Sequence, residues 1–266
     1  ILDTMIDVDH PDLSGKMGKG WNFVQDNDVI YTSEYSDTAE HGTHIAGVIS
    51  KIAPETRILP IVVFQNGTAF TSDIIAGIEY AQNAGADIVN CSWASTMENQ
   101  ALKEAMAASN MLFICAAGND GKNLEEHPVY PAAYDLENIL TVGSVNSCKG
   151  CSSFSNYGPK YVDLATYGEE ICAAQPGGAY SAKSGTSIAA AYTSGAAALI
   201  MGCYETSTAA EVKQRMMDTS QRVSTLTDKV KDSNLLCLKN ILEENPDPAA
   251  RELLFVEDTG EGIDPD

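Results

Sequence analysis

The sequence predicts an α/β domain of three layers, with a mainly parallel sheet covered by helices on both faces. Three observations carry this. Short apolar runs rich in β-branched residues alternate with stretches of helical spacing, the pattern of βαβ units. From Ile188 to Met201 the chain has no charge, and small residues occupy nearly every face. A helix apolar on all sides is a buried one, and its Ala and Gly residues keep it thin enough for neighbours to approach. The chain has 266 residues, 44% of them hydrophobic, enough for one large core.

The elements follow in order. Ile1-Leu2-Asp3-Thr4 reads as a strand end broken at an acid. Gly15, Gly18 and Gly20 mark loop, and residues 25–40 are polar and irregular. Residues 41–50 have the helical spacing of small and apolar side chains. Residues 57–64 form a β-branched run. Residues 71–84 read as a helix capped by Thr71 or Ser72 and closed by Gly85. A short buried strand at 88–92, a helix at 100–109 and strands at 112–117 and 139–145 come next. Residues 153–172 are turn-rich with short strands. The charge-free helix follows, and then Ser207-Thr208-Ala209-Ala210-Glu211, a capping box that opens a helix to about Thr219. The reading assigns 1–245 to one domain and 246–266, rich in Pro, Gly and acids, to an acidic C-terminal tail.

Composition limits the function. A net charge of −21 argues against nucleic acid and anionic membrane as partners and suits a cationic substrate. The charge-free run is expected to be too short and too rich in Ala to span a membrane. Seven Cys, an odd number, lean to a reducing, cytoplasmic compartment rather than a disulfide framework. Cys91, Cys115 and Cys203 read as small buried hydrophobes. Cys148 and Cys151 form a lone C-x-x-C, read as chance or a local disulfide sooner than as a zinc site. The chain begins at Ile1, without Met and inside a strand, so upstream sequence that could hold a signal or pro-segment is expected.

Asp3, His41 and Ser187 are the candidates for acid, base and nucleophile. Ser187 stands where the buried helix begins, and the simple alternative for it is an N-cap. The same place is the positive end of a helix dipole, which favours a developing negative charge. A Ser hydroxyl is a weak nucleophile and needs a base. His41 can supply one at neutral pH, and Asp3 can hold its tautomer. His44 is read as packing or hydrogen-bonding within the fold instead.

Four motifs then point to one family: Asp3-Thr4-Met5-Ile6-Asp7 with His10-Pro11-Asp12-Leu13, His41-Gly42-Thr43-His44-Ile45-Ala46-Gly47, Ala116-Ala117-Gly118-Asn119-Asp120, and Gly185-Thr186-Ser187-Ile188-Ala189. Over roughly residues 1–242 the chain resembles the catalytic domain of subtilisin-like (subtilase) serine peptidases, whose triad has the same chain order, Asp, His, Ser. The resemblance implies a subtilisin-like fold and serine endopeptidase activity on a polypeptide. It assigns Asp3, His41 and Ser187 to the triad and Asn119 to the oxyanion hole. It implies that Ser92, Trp93, Ala94 and Ser95 bind the substrate backbone and wall the first specificity pocket, with Asp120 at its rim. It allows a removed pro-segment or an inhibitor as a further partner and a secreted as well as a cytoplasmic location, and it predicts a cis bond before Pro131.

Departures from the family pattern are Met5, Ile188, Ala191-Tyr192, Ala94-Ser95 and Thr166-Tyr167-Gly168. They bear on substrate preference, since none removes a catalytic group. Only Lys51 separates Val48-Ile49-Ser50 from Ile52-Ala53-Pro54. The resemblance therefore implies that the family's calcium loop after the His helix is missing, and neither a metal nor a cofactor is expected. A peptide cyclase or transpeptidase, and a catalytically silent peptide-binding domain, remain as alternatives on the same scaffold.

Overall fold

The structure is a computed structural model and describes residues 1–33, 38–204 and 208–243. The boundary expected at 245/246, and the acidic tail after it, lie outside the described residues. Among the described residues the main sheet has six strands: β4 (Ile88–Cys91), β5 (Leu112–Ala116), β6 (Ile139–Val145), β7 (Leu164–Tyr167), β10 (Gln221–Arg222) and β11 (Asn234–Leu235), in the order β10-β11-β7-β6-β5-β4. All neighbours in it are parallel except β10 and β11. A second, parallel sheet joins β1 (Leu2–Asp3), β3 (Ile61–Val62) and β2 (Trp21–Asn22) in the order β1-β3-β2. An antiparallel hairpin, β8 (Ile171–Gln175) with β9 (Ala179–Lys183), stands apart from both.

The three layers can be followed along β5. Successive side chains of a strand point to opposite faces. Leu112, Ile114 and Ala116 pack with Ala189, Ala196 and Ile200 of the charge-free helix, α4 (Thr186–Cys203). Phe113 and Cys115 pack on the other face with Ile74 and Ile78 of α2 (Thr71–Asn83) and with Leu102 and Met106 of α3 (Gln100–Ala107). Strands apolar on both faces are what a parallel sheet between helices requires. Helix α5 (Ala209–Asp218) and the short α6 (Leu238–Glu243) extend the α4 layer through Val212, Met216 and Ile241. Helix α1 (Glu40–Ile52) lies against α4 and the β8 strand.

Several expectations are corrected. Neither Thr71 nor Ser72 caps α2: both lie inside it, the N-cap is Phe70, and no side chain caps it. Ser187 is not an N-cap either, because α4 begins one residue earlier with Gly185 as its cap. That start makes α4 18 residues long, and by length and composition alone it could cross a membrane. With 61% of that stretch buried, it is the core helix of the fold. Cys203 is half-buried, and Cys148 and Cys151 are free thiols, with Cys148 exposed. The capping box on Thr208 and Glu211 forms as read, and the Tyr130–Pro131 bond is cis. Helix α1 runs without interruption to Ile52, and the Ala53 N–H donates to the Ile49 carbonyl.

Candidate active site

Asp3 ends β1 and is 2% exposed. Its Oδ1 accepts from the Thr4 N–H at 2.7 Å and lies 2.7 Å from His41 Nδ1. His41 is the second residue of α1, and the helix start is docked on the β1 end by two features. The Gly42 N–H donates to Thr4 Oγ1 at 2.9 Å. A Cβ on Gly42 would stand 2.7 Å from the Met5 carbonyl oxygen and 2.9 Å from that of Thr4, so only Gly permits this approach. The Asp3 carboxylate raises the His41 pKa above its ordinary 6.5; burial and the Lys183 ammonium oppose it.

Ser187 is likewise the second residue of its helix, α4, and is half-buried. A chain of bonds fixes its peptide group: Ser194 Oγ donates to Asn90 Oδ1 at 2.9 Å, Asn90 Nδ2 to Ser92 Oγ at 2.8 Å, and Ser92 Oγ to the Ser187 carbonyl at 2.9 Å. Asn119 follows β5, after Gly118 at φ +97°, a conformation that favours Gly. Its Oδ1 accepts from the Thr186 N–H at 2.9 Å and from Thr186 Oγ1 at 2.8 Å. Those two bonds fix the amide so that Nδ2 is left as a donor. Neither Nδ2 nor the Ser187 N–H has a hydrogen-bond partner among the described residues.

A cleft of about 540 Å³ opens beside these groups, lined by Asp3, His41, Phe64, Ser92, Trp93 and Lys183 among others. Ser187, Asn119, Asp120, Ala94 and Ser95 are not part of its lining. No hydrogen bond joins Ser187 Oγ to His41, the looser arrangement common before substrate binds. Of the expected substrate edge, Ser92 is buried with its hydroxyl turned to Ser187, and Trp93 packs on Phe64 at 5.9 Å between ring centroids. Ala94 and Ser95 are exposed, but the Ser95 N–H and carbonyl are already paired with Tyr130 at 2.8 and 2.7 Å. Asp120 is exposed, its N–H held by Asn156 Oδ1 at 3.1 Å. His44 lies within the fold, Nε2 3.0 Å from the Ile171 carbonyl and 3.2 Å from that of Ser181.

Sequence reasoning missed Thr186, whose hydroxyl and amide aim Asn119, and the ion pair of Lys183 with Glu40 at 3.0 Å. Lys183 could have been noticed as the single cation between Lys160 and Lys213.

A carboxylate–imidazole pair, a helix-start hydroxyl and an aimed amide thus stand on one three-layer α/β scaffold. The subtilase family model matches residues 1–239, and the chain belongs to that family. It is 38% identical over 223 residues to the major intracellular serine protease of Bacillus subtilis (strain 168), covering 78% of this chain and 69% of that one. It is 34% identical over 238 residues to the thermophilic serine proteinase of Bacillus sp. (strain AK1), covering 84% of this chain but 56% of that longer relative. The crystal structure of a cold-adapted subtilisin-like serine proteinase superposes with a TM-score of 0.79 at 28% identity, covering 88% of this chain and 86% of that one. The chain is thus a serine endopeptidase, a hydrolase of polypeptides, and the cyclase and silent-domain alternatives are not favoured.

Proposed function

We propose that hydrolysis proceeds through an acyl-enzyme on Ser187. The 2.7 Å contact between Asp3 and His41 Nδ1 is the observation that carries this reading. It orients the ring with Nε2 free to take the Ser187 proton as Oγ attacks the carbonyl. The imidazolium formed is stabilised by the Asp3 carboxylate and then protonates the leaving nitrogen. The Ser187 N–H and Asn119 Nδ2 receive the oxyanion. A water activated by the same imidazole releases the acyl group.

A peptide can add as a strand along the Trp93–Ala94 edge, where backbone groups give broad acceptance. Asp120 contributes a weak, screened preference for a cation before the scissile bond. A removed pro-segment or an inhibitor would occupy the same edge. Residues 1–245 form the peptidase unit, since Ile241 is still part of the core, and 246–266 form an acidic extension.

A fluorophosphonate probe with mass spectrometry tests the nucleophile. One adduct on Ser187 is expected, absent in Ser187→Ala. Turnover by that variant should fall by about 10⁶, the scale measured in subtilisin, a relative. An adduct elsewhere, or more than a few per cent of activity left in Ser187→Ala, overturns the assignment.

A further inference from the structure

Two side-chain pairs wall the cleft. Phe64 and Trp93, on the segments after β3 and β4, make an apolar side. Lys183, the last residue of β9, and Glu40, the first of α1, make a charged one. The reading above uses His41 but not this second pair, and the present inference rests on that reading.

If the residues before the scissile bond lie along Trp93 and Ala94, the leaving nitrogen must meet His41. The residue it belongs to then falls beside His41, where Lys183 and Glu40 line the same cleft and the Lys183 charge is close enough to act on the ring. We infer that Lys183 selects an acidic side chain in the first residue after the scissile bond. An ammonium has three donors, and Glu40 takes one. The Lys183 side chain is 30% exposed and the Glu40 side chain 54%, so the cation is the more desolvated partner and the more strongly felt inside the cleft. It is also the Lys183 charge that opposes protonation of His41. A substrate carboxylate would bind a second Lys183 proton while Glu40 keeps the first, and Lys183 would bridge the two carboxylates.

The test uses three peptides identical except for Glu, Gln or Lys after the scissile bond, with kcat/KM measured on each. The wild-type chain should favour Glu over Lys by about two- to fivefold, the range for a partly exposed ion pair. Lys183→Gln should bring that ratio to about one, and Lys183→Glu should invert it. Glu40→Gln should raise the Glu preference by removing the competing carboxylate, and this variant carries the test alone should the Lys183 variants not fold. A wild type without preference, or a ratio unchanged in Lys183→Gln or in Glu40→Gln, overturns the inference. Fluorophosphonate labelling separates the two levels. A chain that labels at Ser187 but shows no charge preference defeats this inference alone. A wild type that does not label defeats the triad reading and this inference with it. The pH profile adds a readout that simple loss of packing would not move: in Lys183→Gln the acid limb should shift to higher pH, because no ammonium then opposes the His41 proton. Among the described residues, the charged and titratable groups around His41 are Asp3, Glu40, Lys183 and His44.

Discussion

His41 and His44 lie three residues apart on one face of α1, yet their protons are held with opposite strength. The Asp3 charge raises His41 above 6.5, whereas burial lowers His44 below it. As the proposed base, His41 must be neutral, so the acid limb of kcat/KM is expected above pH 6.5. Asp3→Asn should lower that limb as well as the rate; a limb unmoved by Asp3→Asn would remove Asp3 from its orienting role. For stability the signs differ. A raised histidine stabilises the fold below its unfolded value of about 6.5, and that contribution fades as pH rises through the folded value. A lowered one stabilises above about 6.5, and the contribution is lost as pH falls toward the folded value. His44→Asn can still donate to the Ile171 or Ser181 carbonyl and does not titrate. It should therefore lose less stability than the wild type between pH 7.5 and 5.5 in urea titrations; an equal loss would show that His44 does not govern this window. At this scale the proposed site residues Asp3, His41, Ser187 and Asn119 could be picked out because each sits in a short local motif. Lys183 was not picked out, because it reaches the cleft only through the β8–β9 hairpin. Ser92 was legible in position but not in role, since its hydroxyl serves the Ser187 peptide.

Helices α1 and α4 both present the side chain proposed for catalysis, His41 and Ser187, at the second helical position. For α4 the dipole then assists the negative charge that develops beside Ser187. For α1 the same end disfavours an imidazolium, and Asp3 offsets this. Close approach is what brings α1 to its place, so Gly42→Ala should be damaging. Two carbonyl oxygens under 3 Å from the new Cβ force a shift, expected to cost about 1–3 kcal/mol and to open the Asp3–His41 contact. Gly202, at the other end of α4, has nothing within 4 Å of such a Cβ. Gly202→Ala should instead add about 0.4–1 kcal/mol by restricting the unfolded chain. Urea titration of both variants, with kcat for the first, checks the contrast; similar effects at the two sites would refute the packing argument. The capping box at Thr208 was readable because its two partners are three residues apart. The β8–β9 hairpin was not, since Ala173-Ala174-Gln175 lacks β-branched residues and the only local sign is the turn at Gly177 and Gly178, both at positive φ.

The layer order of the whole molecule was legible because apolar runs buried on two faces have few other solutions. The split into two sheets was not: β1, β2 and β3 pair over only two residues each, too short for periodicity to register. A net charge of −21 belongs to this scale too. It should speed encounter with cationic peptides at low salt, so kcat/KM for a Lys-rich peptide should fall as ionic strength rises, while that for a neutral peptide stays level. Equal salt dependence for the two would show that the field does not steer.

The bonds that join the active groups span 38 residues from Asp3 to His41, 67 from Asn119 to Thr186 and 95 from Ser92 to Ser187. Contacts so far apart in sequence form slowly, and during synthesis a chain emerges N-terminus first. The proposed acid and base are therefore made early and the proposed nucleophile late. On the proposed triad, the nascent chain has no nucleophile until Ser187 has left the ribosome and α4 has inserted against the sheet.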